Sequence, residues 1–393
     1  MKTVNHKSLI LTCILVILLT SVSPVMAYPP DNAAVLYYRS FLIMKEPGED
    51  LNKMLTDLRK GSIKPNDEIR QHLQQNQSVI ELLETASNIP NCDWGRDVSE
   101  GFDLLLPELS KLRQMAFMLI ADAQVLSEKG DYKTALKRCL TVHKMSRHVG
   151  DDLLISYLVG VALNTTANER TKEILSGMPG DLETLTLLKN QIFEISNKAT
   201  TIKAAISKEK EICLQEMRKE KIDTILQALK DEYIDSLIPK DSADRIRKAD
   251  EEFFRASREY YMGFMTGVQA ALDLPYPQSR NRLDELNEKA KKDVAENPAA
   301  ILTASLSSAV GKISSIEVRN KTFFNANIAA IDIYIIKSKT GRLPDTLPAG
   351  LPKDLFSGKD FEYEKTTGGF VLRCQGRDLD KDEIHQYEFK VPK

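Results

Sequence analysis

The sequence predicts a mainly α-helical protein, built from antiparallel helical hairpins and a long-helix bundle. A small C-terminal α+β region with a three-stranded antiparallel sheet closes it. Three observations carry this reading. Apolar residues recur at steps of three and four from Asp31 to about Lys339. Gly-Asp pairs separate successive stripes as a helix stop followed by a cap. Beyond Lys339, prolines and glycines cluster before short strand-like runs. Of 393 residues, 42% are hydrophobic and 28% charged, which excludes disorder as the main state. Lys+Arg 54 against Asp+Glu 56 gives a net charge of −2, so no basic field points to nucleic acid. Five cysteines exclude a disulfide-built scaffold.

Residues 1–27 have the layout of a secretory signal peptide. Lys2, His6 and Lys7 form a basic start, Leu9 to Leu19 is an apolar run, and Val25-Met26-Ala27 offers a cleavage site. The run to Val22 is shorter than the roughly 20 residues a spanning helix needs. The expectation is cleavage before Tyr28, a secreted or periplasmic chain, and no stable membrane span afterwards. The alternative is a signal kept as an anchor. Export places Cys92, Cys139, Cys213 and Cys374 in an oxidising space, and their pairing stays open.

Leu109, Leu112, Ala116, Leu119, Ala123 and Leu126 form one stripe, and Ala135, Cys139, Val142, Ser146 and Val149 the next. Gly130-Asp131 lies between them, so Glu108–Lys129 and Tyr132–His148 are expected as a hairpin. His148 reads as a cation in the last turn of its helix. Asp151 or Asp152 is then expected to cap a buried helix over Leu153–Leu175. One long seam runs from Leu185 through Leu188, Ile192, Ile195, Ala199 and Ile202 to Ile206. Glu209–Lys221 reads as a solvated tip, and the return seam uses Ile222, Leu226, Leu229 and Tyr233, with a turn at Pro239 and Asp241. A further seam is expected on Ile246, Ala249, Phe253, Ala256, Tyr260, Gly263 and Gly267. A charged helix follows Leu274-Pro275, Asn297-Pro298 starts another, and Phe324, Ile328, Ile331 and Ile335 share a helix face. Phe361–Glu364, Gly369–Leu372 and Tyr387–Val391 read as strands.

The run Gly130-Asp131-Tyr132-Lys133-Thr134-Ala135-Leu136 resembles the turn and second-helix start of a tetratricopeptide repeat, in a single copy. Asn91-Cys92-Asp93-Trp94-Gly95 and Asp103–Gln114 resemble a group of uncharacterised exported bacterial helical proteins, which brings no activity with it. From the Phe324 helix through Asp354-Leu355-Phe356-Ser357-Gly358 to Gly369–Leu372, the tail is similar to major pseudopilins of type II secretion. That resemblance implies a helix on a small sheet and an acidic loop able to hold calcium. The prepilin start and the Gly-Gly after the loop are missing. Four units follow: the signal peptide (1–27), an N-terminal bundle with the hairpin (28–178), a long-helix bundle (179–315) and a pseudopilin-like helix plus sheet (316–393).

Asp378, Asp380, Asp382 and Glu383 are the candidate calcium ligands, against the alternative of a solvated acidic turn. No other cofactor is expected. His143 and His148 are five apart, about 140° around a helix, and cannot share a metal. Glu100, Asp103 and Glu108 read as residues around a helix start. Trp94, the only tryptophan, is the candidate interaction residue, against a packing anchor. No catalytic motif stands out. The expected role is a non-catalytic interaction or scaffold function with a protein or peptide partner at the cell envelope. Association with type II secretion machinery is one alternative, and a hydrolase-type enzyme with a dispersed site is another.

Overall fold

The computed structural model describes residues 31–392 except 151–152, 197–199, 229–241 and 307–308. Residues 1–27, read above as a signal peptide, and Asp151, Asp152, Ala199, Leu229, Tyr233, Pro239 and Asp241 lie outside the described residues. The chain is mainly helical, with a three-stranded antiparallel sheet at its C-terminal end. Four short helices come first: α1 (Ala33–Ile43), α2 (Glu49–Arg59), α3 (Asp67–Gln75) and α4 (Gln77–Ser87). The expected hairpin is present as α5 (Pro107–Glu128) and α6 (Tyr132–Val149). Pro107 sits in the first turn of α5, where its missing N–H costs nothing. Asp131 caps α6 by accepting the Thr134 N–H, at 3.1 Å, and Gly130 takes the left-handed turn. The buried helix α7 (Leu154–Gly177) follows, with Leu153 rather than an aspartate at its cap position.

The long seam is two helices. Helix α8 (Leu182–Ser196) carries Leu185 to Ile195, and α9 (Ile202–Glu216) starts afresh at a Thr201 cap. The apolar pattern runs through the interruption because each helix serves a different core: Leu185, Leu188, Ile192 and Ile195 join the first buried cluster, Ile202 and Ile206 the second. Nor is Glu209–Lys221 a solvated tip. Ile212, Cys213, Glu216 and Met217 are buried there, and the Met217 carbonyl accepts from Arg258 at 2.6 Å. Gly101, in left-handed backbone, leaves the room Glu216 occupies, since a Cβ on it would lie 2.1 Å from Glu216 Oε1.

Two short helices, α10 (Ile222–Ala228) and α11 (Ser242–Arg247), precede α12 (Glu251–Ala271). Its buried face is Phe254, Ser257, Tyr261, Met265 and Val268, one position on from the expected one. Asp250 explains the shift: its side chain accepts the Phe253 N–H and begins a new helix, so phase counted from Ile246 does not carry over. Then come α13 (Tyr276–Asp293), α14 (Ala300–Leu306) and the long α15 (Val310–Thr340).

Strands β1 (Glu362–Thr366), β2 (Gly369–Arg373) and β3 (Gln386–Lys390) pair antiparallel in sequence order. Phe370 faces Phe389 and Leu372 faces Tyr387 in register, so alternate residues turn inward. That inner face meets α15, where Phe323 stacks on Tyr387 at 4.8 Å and Tyr334 meets Phe370 edge-on. The tail therefore completes the first core, which runs from Ala33 to Phe389. The second core draws on α7, residues 202–306 and the start of α15. Boundaries at 178/179 and 315/316 do not follow this division, because α8 belongs to the first core and α15 to both.

Candidate functional site

Trp94 is 7% exposed. Its ring stacks on Tyr37 at 5.5 Å and its indole N–H donates to the His148 carbonyl at 2.8 Å. Both its apolar body and its polar edge are spent on the core, which is the anchor arrangement. Beside it, Glu108 is buried against Arg96 at 2.7 Å, a partner the sequence reading missed. His148 is no helix-end cation. Burial and the adjoining Arg147 charge lower its pKa to about 4. Arg147 donates into Nε2 at 3.0 Å, which places the ring proton on Nδ1, 2.9 Å from the Tyr37 hydroxyl.

The acidic loop is a set of ion pairs. Asp378 Oδ2 receives Arg319 Nε at 2.7 Å and faces His385 Nε2 at 2.9 Å. Asp378 Oδ1 accepts the Asp380 N–H and the Tyr276 hydroxyl. Burial opposes this charge, yet the Arg319 and His385 hydrogen bonds hold its pKa down at about 2. Asp380 takes the other arm of Arg319 at 3.0 Å, Asp382 pairs with Arg377 at 2.7 Å, and Glu383 lies 3.3 Å from His385. These carboxylates do not fit a calcium cage. Arg319 stands where the cation would sit, and among the described residues no group of three or more His, Cys, Asp or Glu is placed to hold a metal. Cys92, Cys139, Cys213 and Cys374 are buried, and no disulfide joins them among the described residues.

A cavity of about 190 Å³ lies where α6, α7 and α15 meet. Helix α6 contributes His143, Ser146 and Arg147, with Gly150 just past its end, α7 contributes Tyr157, Gly160, Val161 and Asn164, and α15 contributes Glu317, Asn320, Lys321 and Phe324. The α6–α7 contact is close because a Cβ on Gly160 would sit 2.5 Å from the Ser146 carbonyl oxygen. Glu317 Oε1 accepts three bonds: from Tyr157 at 2.6 Å, from Lys321 at 2.8 Å and from the Ile202 N–H at 3.0 Å. Buried asparagines bind the helices together, with Asn168 donating to Asn320 at 3.1 Å and Asn327 to the Asn168 carbonyl at 3.0 Å. His143 is 1% exposed, and Nδ1 lies 3.2 Å from Asn164 Oδ1. Its Nε2 has no partner among the described residues, and burial lowers its pKa to about 4 against the pull of Asn164.

On another side of α6 runs a groove of about 420 Å³ shared with α8. Leu136, Leu140 and Leu188 line its floor, and Leu187 is 44% exposed. Lys133, Lys137 and Lys144 follow one face of α6 along it. Their present acceptors are Glu183, Glu84 and Asn88. The cavity was hidden in the sequence because its polar residues sit at ordinary helical positions. Asn164, Asn168, Asn320 and Asn327, poor helix formers inside helices, were the available signal. No family model, no curated protein and no solved structure matches this chain.

Proposed function

We propose that the chain is an exported, non-catalytic interaction protein whose partner lays an acidic, apolar-anchored segment into the α6–α8 groove. One observation carries the reading: three lysines in line beside a leucine floor. Such a groove suits a partner helix or extended peptide with carboxylates along one edge and an apolar residue beneath them. The Lys133–Glu183 pair is exposed on both sides, and exposed pairs are worth roughly 0–1 kcal/mol, so incoming carboxylates replace it at small cost. Against a hydrolase, His143 held near pH 4 is a weak base at neutral pH.

The test is fluorescence anisotropy with a labelled amphipathic peptide carrying aspartates on one face and leucines on the other. Binding should be saturable and weaken with salt. The triple variant Lys133→Glu, Lys137→Glu, Lys144→Glu should bind at least about tenfold more weakly, some 1.4 kcal/mol. Equal affinity in the triple variant rejects the groove. Export itself is checked by the N-terminal sequence of the purified native protein, expected near Tyr28.

A further inference from the structure

The groove leaves the cavity at the α6–α7–α15 junction unexplained, and its charges are unevenly matched. Lys321 is neutralised by Glu317 at 2.8 Å. Arg147 is not: among the described residues its one hydrogen bond goes to His148 Nε2, and no carboxylate pairs with it. A half-buried guanidinium without a counter-charge is costly, and its planar fork matches a carboxylate. One turn away on the same helix face, the buried His143 contributes a ring nitrogen with no partner to the same cavity wall. Val161, Ile195, Phe324 and Leu355 give the wall its apolar part, beside neutral polar groups such as Asn164 and Asn320 and the Glu317 carboxylate that Lys321 already holds. At about 190 Å³ the space is below that of drug-sized pockets and too small for a nucleotide or a peptide.

We propose that this cavity binds a small monocarboxylic acid, its carboxylate on the Arg147 guanidinium and its short apolar body against Val161 and Phe324. The site is independent of the groove, so either can fail without the other.

Isothermal titration of the full chain with 4-methylpentanoate tests it, beside 4-methylpentan-1-ol, which lacks the charge, and inorganic phosphate, which lacks the apolar body. The acid should bind once per chain and at least about tenfold more tightly than the alcohol or phosphate, as a charge-assisted contact predicts. Arg147→Gln should remove about that factor, with Trp94 fluorescence reporting whether the fold is intact. Should that variant unfold, Arg147→Lys keeps the charge and loses the fork, and an affinity between the two is expected. Absence of saturable binding by the native chain, alcohol or phosphate binding as tightly as the acid, or undiminished affinity in folded Arg147 variants overturns the proposal.

Discussion

In the first core, three buried arginine–carboxylate contacts are closed pairs. Arg96 meets Glu108, Arg138 meets Asp122 at 2.7 Å, and Arg319 holds Asp378. The second core leaves its carboxylates less well served. Glu216 is 1% exposed, its Oε2 has no partner among the described residues, and Lys221 stands off at 3.6 Å. Burial raises the pKa of Glu209. The difference teaches that individual buried groups in the two cores respond to acid with opposite signs. His143 and His148, lowered to about 4, weaken the first core as pH falls, because the unfolded chain then binds more protons. Glu209, raised, weakens the second core as pH rises through its ordinary value of 4.5.

The sharpest way to break this contrast is Arg319→Met. It takes the guanidinium from the buried Asp378 and leaves it His385, the Tyr276 hydroxyl and the Asp380 N–H, and the cost expected from urea unfolding is about 3–5 kcal/mol. Next comes acid itself. Between pH 6.5 and about 4 each of the two histidines, its pKa lowered from 6.5 to about 4, should remove about 3 kcal/mol of stability. Trp94, which rests on the His148 carbonyl, reads that loss by fluorescence, and His148→Gln should flatten it by about half. Gly160→Ala forces α6 and α7 apart at the Ser146 carbonyl, and about 1–3 kcal/mol is expected in thermal unfolding. Smallest is Glu216→Gln in the second core. Replacing a carboxylate whose second oxygen is already unserved should cost less than about 1 kcal/mol, and a loss above about 3 kcal/mol would erase the distinction between the cores.

The same contrast separates what was legible in the sequence from what was not. The hairpin and the tail were readable because Gly130-Asp131, Pro107 and the Pro/Gly cluster after Lys339 mark boundaries by backbone chemistry that packing does not override. In the second core the boundaries fall at Thr201 and Asp250, single capping residues set in an unbroken apolar rhythm. A three-four pattern gives no phase reset at such caps, so the seam was drawn through one and a face misassigned after the other. Charge partners were out of reach for another reason. Arg319 meets Asp378 and Arg96 meets Glu108 only because distant or looped segments fold together, so the acidic loop read as an open ligand set and His148 as a surface cation.

The unbridged thiols give each part of the molecule its own clock. Cys139 lies in the first core, Cys213 in the second and Cys374 in the sheet region, each buried. Burial pushes the Cys139 and Cys213 thiols up to about 12, so neither forms thiolate at neutral pH while the native packing holds. An alkylating reagent therefore consumes each sulfur only as fast as its surroundings open. Mass-resolved labelling over hours orders those openings without introducing a single foreign probe.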